Sequence, residues 1–212
     1  MAKAPIASNI IKTNSFFTFN ILLNFLNYII MKTNNFVKPE NKELKKQVTL
    51  VGMMGVGKTT FGKKLAAKLQ VPFYDVDHEI EGDIGHSVSW IFENAGEEEF
   101  RKLETEKIRQ LLDNGKPKIV ALGGGAFISN ENRKEIKSKS ASVWLYASPE
   151  TIYERVSYRR DRPLLEAAED KMALINQIIK EREEYYSLAD FKIITDKTTH
   201  KEIVDKIIEK VL

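Results

Sequence analysis

The chain has 212 residues, enough for one domain with or without an appendage, and 42% of them are hydrophobic, enough for a core. Its 33 basic and 30 acidic residues give a net charge of +3, a balance that does not suggest a nucleic-acid-binding protein. Because the chain has no cysteine, disulfides, thiolate catalysis and zinc–thiolate sites are excluded.

The first 46 residues differ in character from the rest. An apolar stretch from Phe16 to Met31 is interrupted by three asparagines and is too short and polar for a stable membrane span. Three interpretations stay open: Met31 is the true start, the stretch is an amphipathic helix that binds a membrane or a partner, or it is a targeting segment or disordered tail. We predict an N-terminal extension over residues 1–46 and a folded domain over 47–212.

From residue 47 onward, strand-like apolar segments alternate with segments whose apolar residues have helical spacing. The predicted strands lie near 47–51, 72–76, 118–122, 141–146 and 191–195. The predicted helices lie near 58–69, 78–84, 88–94, 97–113, 130–138, 149–158, 170–186 and 199–211. This alternation is typical of an α/β fold, here a three-layer αβα arrangement with a five-stranded parallel sheet. Ligands of such sheets bind beyond the carboxyl ends of the strands.

Residues 52–60 read GMMGVGKTT and fit the phosphate-loop pattern G-x-x-x-x-G-K-[ST] between a predicted strand and a predicted helix. Backbone N–H groups of such a loop surround a phosphate, and the helix N-terminus adds a favourable dipole. In this pattern Lys58 reaches the β- and γ-phosphates, and the Thr59 hydroxyl ligates Mg²⁺. The predicted ATP-binding residues of the loop are Gly55, Val56, Gly57, Lys58, Thr59 and Thr60.

Two aspartates stand at the end of the second predicted strand. If the strand continues through both, Asp75 and Asp77 point to the same face. Paired carboxylates at the end of a buried strand repel each other unless they meet cations or hydroxyl groups. Capping of the next helix would explain Asp77 but not both residues. We predict that the pair serves Mg²⁺, with its water shell, and a hydroxylated acceptor.

The third predicted strand runs into three consecutive glycines, Gly123, Gly124 and Gly125. Such a loop allows close approach of a ligand to the backbone and leaves N–H donors open to it. A flexible turn would need only one or two glycines. We therefore predict a ligand-facing loop.

Two further segments carry arginines. Arg101 and Glu104 are three residues apart on a predicted helix, and their spacing alone indicates an ordinary surface ion pair. Four arginines lie between residues 155 and 162, ahead of a proline-containing loop. Arginine suits bidentate phosphate contacts, so this loop is typical of a kinase lid that closes over the transferring phosphoryl group. The alternative is a solvated basic face.

Together these segments resemble the shikimate kinase family of P-loop kinases over residues 47–212. The matching segments, in order, are GMMGVGKTT, FYDVDHEIE, WIFENAGEEEFRKLE, LGGGA, and RPLL followed by EREEYY. Many kinases share the phosphate loop, but the aspartate pair, the triple glycine and the FR…E helix are more specific. The sequence departs from the family where Glu183 and Glu184 follow Arg182, since relatives often have a proline nearby, and residues 1–46 have no counterpart.

The resemblance implies transfer of the γ-phosphoryl group of ATP to the 3-hydroxyl of shikimate, with Mg²⁺ as cofactor. The implied substrate-binding residues are Asp77, Arg101, Gly123, Gly124, Gly125 and Arg182. Glu104 would orient Arg101, and Asp77 would mainly aim the acceptor oxygen. At the nucleotide, Asp75 would act on Mg²⁺ through water, Arg155 would lie over the adenine, and Lys58 and Arg162 would stabilise the transferring phosphoryl group.

Two other classes of function compete with this interpretation. Kinases of gluconate or of nucleoside monophosphates share the fold, and a non-enzymatic nucleotide-binding protein could retain it. A carboxylate together with two guanidinium groups is instead typical of a site for an acidic polyol and favours shikimate; these groups belong to Asp77, Arg101 and Arg182. A cysteine-free, ATP-dependent enzyme is expected in the cytoplasm, and the family resemblance suggests a monomer.

Overall fold

Five short strands form one parallel sheet in the computed structural model, which describes residues 43–157 and 168–212. The strands are β1 Gln47–Val51, β2 Phe73–Asp75, β3 Ile119–Ala121, β4 Ser140–Tyr146 and β5 Phe191–Ile194. Their spatial order is β2-β3-β1-β4-β5, and every neighbouring pair is parallel. In the central register, Leu50 lies opposite both Ala121 and Val143.

Seven α-helices lie within the described ranges. They are α1 Lys58–Leu69, α2 Val76–Ile84, α3 Val88–Asp113, α4 Asn130–Lys139, α5 Pro149–Val156, α6 Lys171–Tyr186 and α7 His200–Val211. Side-chain oxygens cap several helix starts by accepting a hydrogen bond from the backbone, as Ser148 does from Thr151 N at the start of α5. Among these helices there is none whose length and apolar character would allow it to cross a membrane.

Alternate residues of the strands build two separate apolar layers, one on each face of the sheet. Leu50 and Val143 belong to the layer covered by α1, α5, α6 and α7, whereas Val120 and Trp144 belong to the layer covered by α2, α3 and α4. All four side chains are buried. Because β1, β3 and β4 are apolar on both faces, the sheet needs helices on both sides. The predicted three-layer fold with a five-stranded parallel sheet is confirmed.

The second strand is shorter than predicted, which changes the position of Asp77. The strand ends at Asp75, whose extended backbone occupies the N-cap position of α2, and the helix begins at Val76 rather than near residue 78. Asp77 therefore lies in the first helical turn, and the prediction that Asp75 and Asp77 share one strand face is wrong. A carboxylate in the first turn is favoured by the helix dipole, which draws this segment into the helix.

The two helices predicted over 88–94 and 97–113 are joined into α3, with a break between them. Gly96 has φ 85° and ψ 167°, which is not helical. Ser87 caps the first segment by accepting a hydrogen bond from Trp90 N, and Glu97 begins the second. Residues on either side of Gly96 therefore do not share one continuous helical face.

Two predictions fall outside the described residues. One is the N-terminal extension predicted over residues 1–46, of which residues 1–42 are not described, together with the three interpretations of its apolar stretch. The other is the lid segment that contains Arg162. Both stay predictions from the sequence.

Candidate active site

The phosphate loop connects β1 to α1, and its glycines carry the backbone through left-handed conformations. Gly55 has φ 77°, and Gly57, the N-cap residue of α1, has φ 102°. Residues with a β-carbon rarely adopt these angles. Val56, between the two glycines, is fully buried and fixes the loop to the apolar layer. The loop thus lies at the carboxyl end of β1 with the start of α1 behind it, an arrangement that binds phosphate.

Lys58, the first residue of α1, extends back over the phosphate loop. Its Nζ atom donates hydrogen bonds to the carbonyl oxygens of Gly52 at 2.8 Å and Met53 at 3.1 Å. These contacts hold a positive charge at the loop, where phosphate oxygens of a nucleotide would lie. Thr60, by contrast, is exposed on the first turn of α1.

Thr59 and Asp75 bring two oxygen atoms together beside the loop. The Thr59 Oγ1 atom donates a hydrogen bond to Asp75 Oδ2 at 2.7 Å. In residues 43–157 and 168–212, no group of three or more His, Cys, Asp or Glu side chains could hold a metal ion. Mg²⁺ prefers oxygen ligands and usually takes only one or two from the protein, with water and substrate phosphates completing its shell. The Thr59–Asp75 pair therefore fits Mg²⁺ bound together with a nucleotide.

Arg155, in the last turn of α5, contacts the phosphate loop from the side of β5. Its Nη1 atom donates to the carbonyl oxygen of Val56 at 3.1 Å and to Thr195 Oγ1 at 3.4 Å. Thr195 directly follows β5 and is buried. The guanidinium group is thereby held beside the phosphate loop, where its planar face is suited to stacking on a nucleobase.

The glycine loop, residues 123–125, follows β3 and packs directly against charged side chains. A β-carbon placed on Gly123 would lie 2.5 Å from Glu104 Oε1 and 2.8 Å from Asp77 Oδ1. Both distances are shorter than real contacts of a β-carbon. Glycine at this position therefore lets two carboxylates from different helices approach the same backbone atom.

The other two glycines of the loop each meet an arginine. A β-carbon on Gly125 would lie 2.6 Å from Arg101 Nη2, and one on Gly124 would lie 3.3 Å from Arg182 Nη1. The same β-carbon on Gly124 would lie 3.7 Å from the backbone nitrogen of Met54 in the phosphate loop. The glycine loop therefore gathers four charged side chains next to the phosphate loop.

Arg101 is held by two carboxylates on its own helix. Its Nη1 atom donates to Glu104 Oε2 at 2.8 Å, and its Nε and Nη2 atoms donate to Glu97 Oε1 at 3.2 and 2.9 Å. The rings of Phe92 and Phe100 lie 5.9 and 5.3 Å from the guanidinium carbon, within cation–π range. Since the Glu104 side chain is only 1% exposed, the interpretation of the Arg101–Glu104 pair as an ordinary surface pair is wrong.

The charge of Glu104 is sensitive to its surroundings. Burial raises the pKa of its carboxyl group from 4.5 to about 7, against the opposing effect of Arg101, and the neighbouring Asp77 carboxylate contributes to the rise. Burial alone would lower the pKa of Arg101, but Glu104 and Glu97 together raise it above its ordinary value. Arg101 therefore stays charged, whereas burial makes the Glu104 carboxylate easier to protonate than an exposed one.

Tyr186 is a site residue that we did not single out from the sequence. Its hydroxyl group donates a hydrogen bond to the carbonyl oxygen of Gly124 at 2.5 Å, and its side chain is buried. Burial raises the pKa of this hydroxyl group, which keeps it a donor. Arg182, one helical turn earlier, lies beside this hydroxyl group and opposes the rise in its pKa. The spacing of four residues in EREEYY is the signal that could have identified it.

Comparison with known proteins agrees with this geometry. The shikimate kinase family model matches residues 54–212. A shikimate kinase of Bradyrhizobium diazoefficiens is 45% identical over 164 residues, which cover 77% of this chain and 78% of that protein. A shikimate kinase of Zymomonas mobilis is 42% identical over 161 residues, which cover 76% of this chain and 90% of that protein.

The chain belongs to the shikimate kinase family. A solved structure of the shikimate kinase from Acinetobacter baumannii, in complex with shikimate, matches with a TM-score of 0.74 and 35% identity. The match covers 79% of this chain and 93% of that one. The family resemblance drawn from the sequence motifs is thereby confirmed.

The structure sorts the site residues predicted from the family into two groups. Lys58, Thr59, Asp75 and Arg155 lie around the phosphate loop. Around the glycine loop lie Asp77, Arg101, Glu104 and Arg182. The family's proline near Arg182 is not needed for this placement, because α6 continues as a helix through Glu183 and Glu184 to Tyr186. Arg162 lies outside the described residues.

Proposed function

We propose that this chain transfers the γ-phosphoryl group of ATP to the 3-hydroxyl group of shikimate, giving shikimate 3-phosphate and ADP. The observation that carries the proposal is the closeness of the glycine loop to the phosphate loop, since a β-carbon placed on Gly124 would lie 3.7 Å from the backbone nitrogen of Met54. An acceptor held on one loop meets a phosphoryl group held on the other. The relatives named shikimate kinase, and the solved relative in complex with shikimate, support the choice of acceptor.

The acceptor half of the site suits a small anionic polyol. Shikimate carries one carboxylate and three hydroxyl groups. Arg101 and Arg182 provide guanidinium groups for the carboxylate, and arginine binds carboxylates through paired N–H donors. Asp77 is an acceptor for a hydroxyl group, and the glycine loop lets the substrate approach its backbone. Glu104 orients Arg101 from the buried side.

The donor half of the site holds the nucleotide. The phosphate loop and the N-terminus of α1 bind the phosphates, and Lys58 neutralises the β- and γ-phosphate oxygens. Arg155 stacks on the adenine from its position beside Val56. Arg162 adds a second cation at the transferring phosphoryl group, as expected from the family motif. Thr59 would ligate Mg²⁺ directly and Asp75 would hold it through water, and the ion would supply positive charge for the β- and γ-phosphates.

Positioning and charge stabilisation supply most of the rate enhancement. Phosphoryl transfer passes through a loose transition state in which little covalent help is needed from the protein. Asp77 accepts a hydrogen bond from the 3-hydroxyl group and aims its oxygen at the γ-phosphorus atom. As the new P–O bond forms, the bond between the γ-phosphorus and the bridging oxygen of ADP breaks, and the proton of the 3-hydroxyl group passes to the Asp77 carboxylate. Lys58 and Arg162 stabilise the charge that develops during this exchange.

The test is ADP release by the purified full-length chain with Mg-ATP, with shikimate, gluconate, AMP and CMP offered separately. We expect turnover with shikimate alone. Turnover with gluconate or a nucleotide in its place would contradict the proposal. The same assay on a chain that begins at Met31 would measure whether residues 1–30 are needed for catalysis. We place the enzyme in the cytoplasm, where ATP is supplied, and propose that it acts as a monomer.

A further inference from the structure

The guanidinium group of Arg101 is bonded along two of its sides by carboxylates of very different exposure. On the Nη1 side, Glu104 Oε2 accepts at 2.8 Å, and that glutamate side chain is 1% exposed. On the other side, Glu97 Oε1 accepts from both Nε and Nη2, and the Glu97 side chain is 66% exposed. The contact with Glu104 is thus buried, and the contact with Glu97 faces solvent.

The solvent-facing side is the one that a substrate carboxylate would use. A carboxylate binds a guanidinium group best through two adjacent N–H groups, and Nε with Nη2 form such a pair. The Nη1 atom is occupied by the buried Glu104, while Gly125 and the rings of Phe92 and Phe100 lie close to the guanidinium group. The Glu97 oxygen therefore lies where an oxygen of an incoming carboxylate would bind.

We propose that Glu97 is an internal competitor for the substrate carboxylate. With no substrate bound, Glu97 holds the Nε–Nη2 side of Arg101, and the carboxylate of shikimate exchanges with it on binding. Glu104 remains bonded throughout and keeps the guanidinium group aimed at the site. This inference rests on the proposed function, because it takes the acceptor to be a carboxylate that binds Arg101.

Energy and backbone geometry both favour this exchange. Ion pairs exposed to solvent contribute little to stability, so Glu97 gives up its bond at small cost and its carboxylate is hydrated by water when released. Breaking the Arg101–Glu104 bond would leave a buried charge without its partner, which costs far more. Glu97 also follows the break in α3 at Gly96, so its backbone is not held by a continuous preceding helix.

The matched pair of variants is Glu97→Gln and Glu98→Gln. Both remove one negative charge from adjacent positions on the same exposed stretch of α3. Glu98 is 88% exposed and pairs with Lys102 rather than with Arg101. A general effect of charge on an anionic substrate would therefore change both variants alike, whereas loss of competition would change only the first.

The experiment measures KM and kcat with shikimate at saturating Mg-ATP, and the Kd of shikimate and of shikimate methyl ester by calorimetry, for the full-length chain and both variants. We expect Glu97→Gln to lower KM and Kd for shikimate by about 2- to 5-fold, the scale of one exposed ion pair, with the change in KM rather than kcat. Binding of the methyl ester, which has no carboxylate charge, should not become tighter.

Three results would overturn the inference. An unchanged or increased KM in Glu97→Gln would mean that Glu97 does not compete, or that it supports Arg101 in the bound state. Equal tightening in Glu98→Gln would indicate a general charge effect, and tighter binding of the ester would remove the role of the carboxylate. If the unmodified chain does not phosphorylate shikimate at all, the proposed function is wrong, and this inference, which rests on it, is wrong as well.

Discussion

Glu104 Oε2 accepts a hydrogen bond from Arg101 Nη1 at 2.8 Å, whereas Glu104 Oε1 is buried with no hydrogen-bond partner among the described residues. A carboxylate with one bonded and one unbonded oxygen holds its arginine in place. Burial of the unbonded oxygen lowers the stability of the folded protein. The Glu104 carboxylate therefore fixes the guanidinium group at the cost of some stability. This contribution to the free energy of unfolding depends on pH.

We predict that Glu104 makes the folded protein less stable as the pH rises from about 4.5 to above 7. Its pKa is raised on folding from 4.5 to about 7, so the folded state binds the proton more tightly than the unfolded chain does. The stabilisation is complete below pH 4.5 and is lost as the pH rises through 7, a change of about 3 kcal/mol. Urea unfolding at several pH values, compared between the natural chain and Glu104→Gln, measures it. A difference between the two that stays constant with pH would contradict the prediction.

We predict that Asp77→Asn lowers kcat with shikimate by at least ~100-fold and leaves the affinity for ATP nearly unchanged, because in the proposed mechanism Asp77 contacts the reacting hydroxyl group. The control is Asp83→Asn on the same helix, since Asp83 pairs with Lys107 at the surface. Steady-state kinetics and nucleotide titration measure the two effects. Normal turnover by Asp77→Asn would remove this residue from the mechanism.

We predict that Gly125→Ala lowers kcat/KM for shikimate by about 10- to 100-fold, because the new methyl group must displace the guanidinium group of Arg101, and small displacements in a site are costly. KM for ATP should stay the same. The control is Gly82→Ala in α2, where a β-carbon meets no atom within 4 Å and alanine favours the helix. Equal activity of the two variants would show that the close contact at Gly125 has no consequence for catalysis.

We predict that Asp75→Asn raises the Mg²⁺ concentration needed for half-maximal activity by about 10-fold, the scale observed when an outer partner of a metal site is lost. The asparagine can still accept the hydrogen bond from Thr59 but carries no charge to attract the ion's water shell. Titration of activity with Mg²⁺ at fixed ATP measures the change. An unchanged Mg²⁺ requirement would leave the Thr59–Asp75 bond with a structural role only.

The parts of the site that depend on local backbone chemistry could be predicted from the sequence. The phosphate loop is a continuous motif whose glycines, lysine and threonine have fixed relative positions, so Lys58 and Thr59 could be assigned roles directly. The alternation of strands and helices likewise predicts the three-layer fold. The phosphate-loop motif lies within a few neighbouring residues. The alternation of apolar strand and helix patterns recurs along the whole domain.

The remaining parts depend on contacts between distant segments. The alternation in FYDVD suggests a strand through Asp77, but the helix dipole and the burial of Val76 end the strand at Asp75. Burial of Glu104 depends on how α3 packs against the glycine loop, which the spacing of Arg101 and Glu104 cannot reveal. The spacing in EREEYY places Tyr186 one helical turn from Arg182, but it does not reveal the bond to Gly124, which lies 62 positions away in the chain.

The glycine loop also has a consequence for the design of inhibitors. Each of its three positions lies against a charged side chain, so every amino-acid replacement adds atoms next to a residue that we propose binds the substrate. A compound that binds chiefly to the backbone of residues 123–125 would thus contact a surface on which resistance mutations carry a direct loss of activity. By the same reasoning, resistance to a compound that depends on exposed residues such as Glu97 would require a smaller loss of activity.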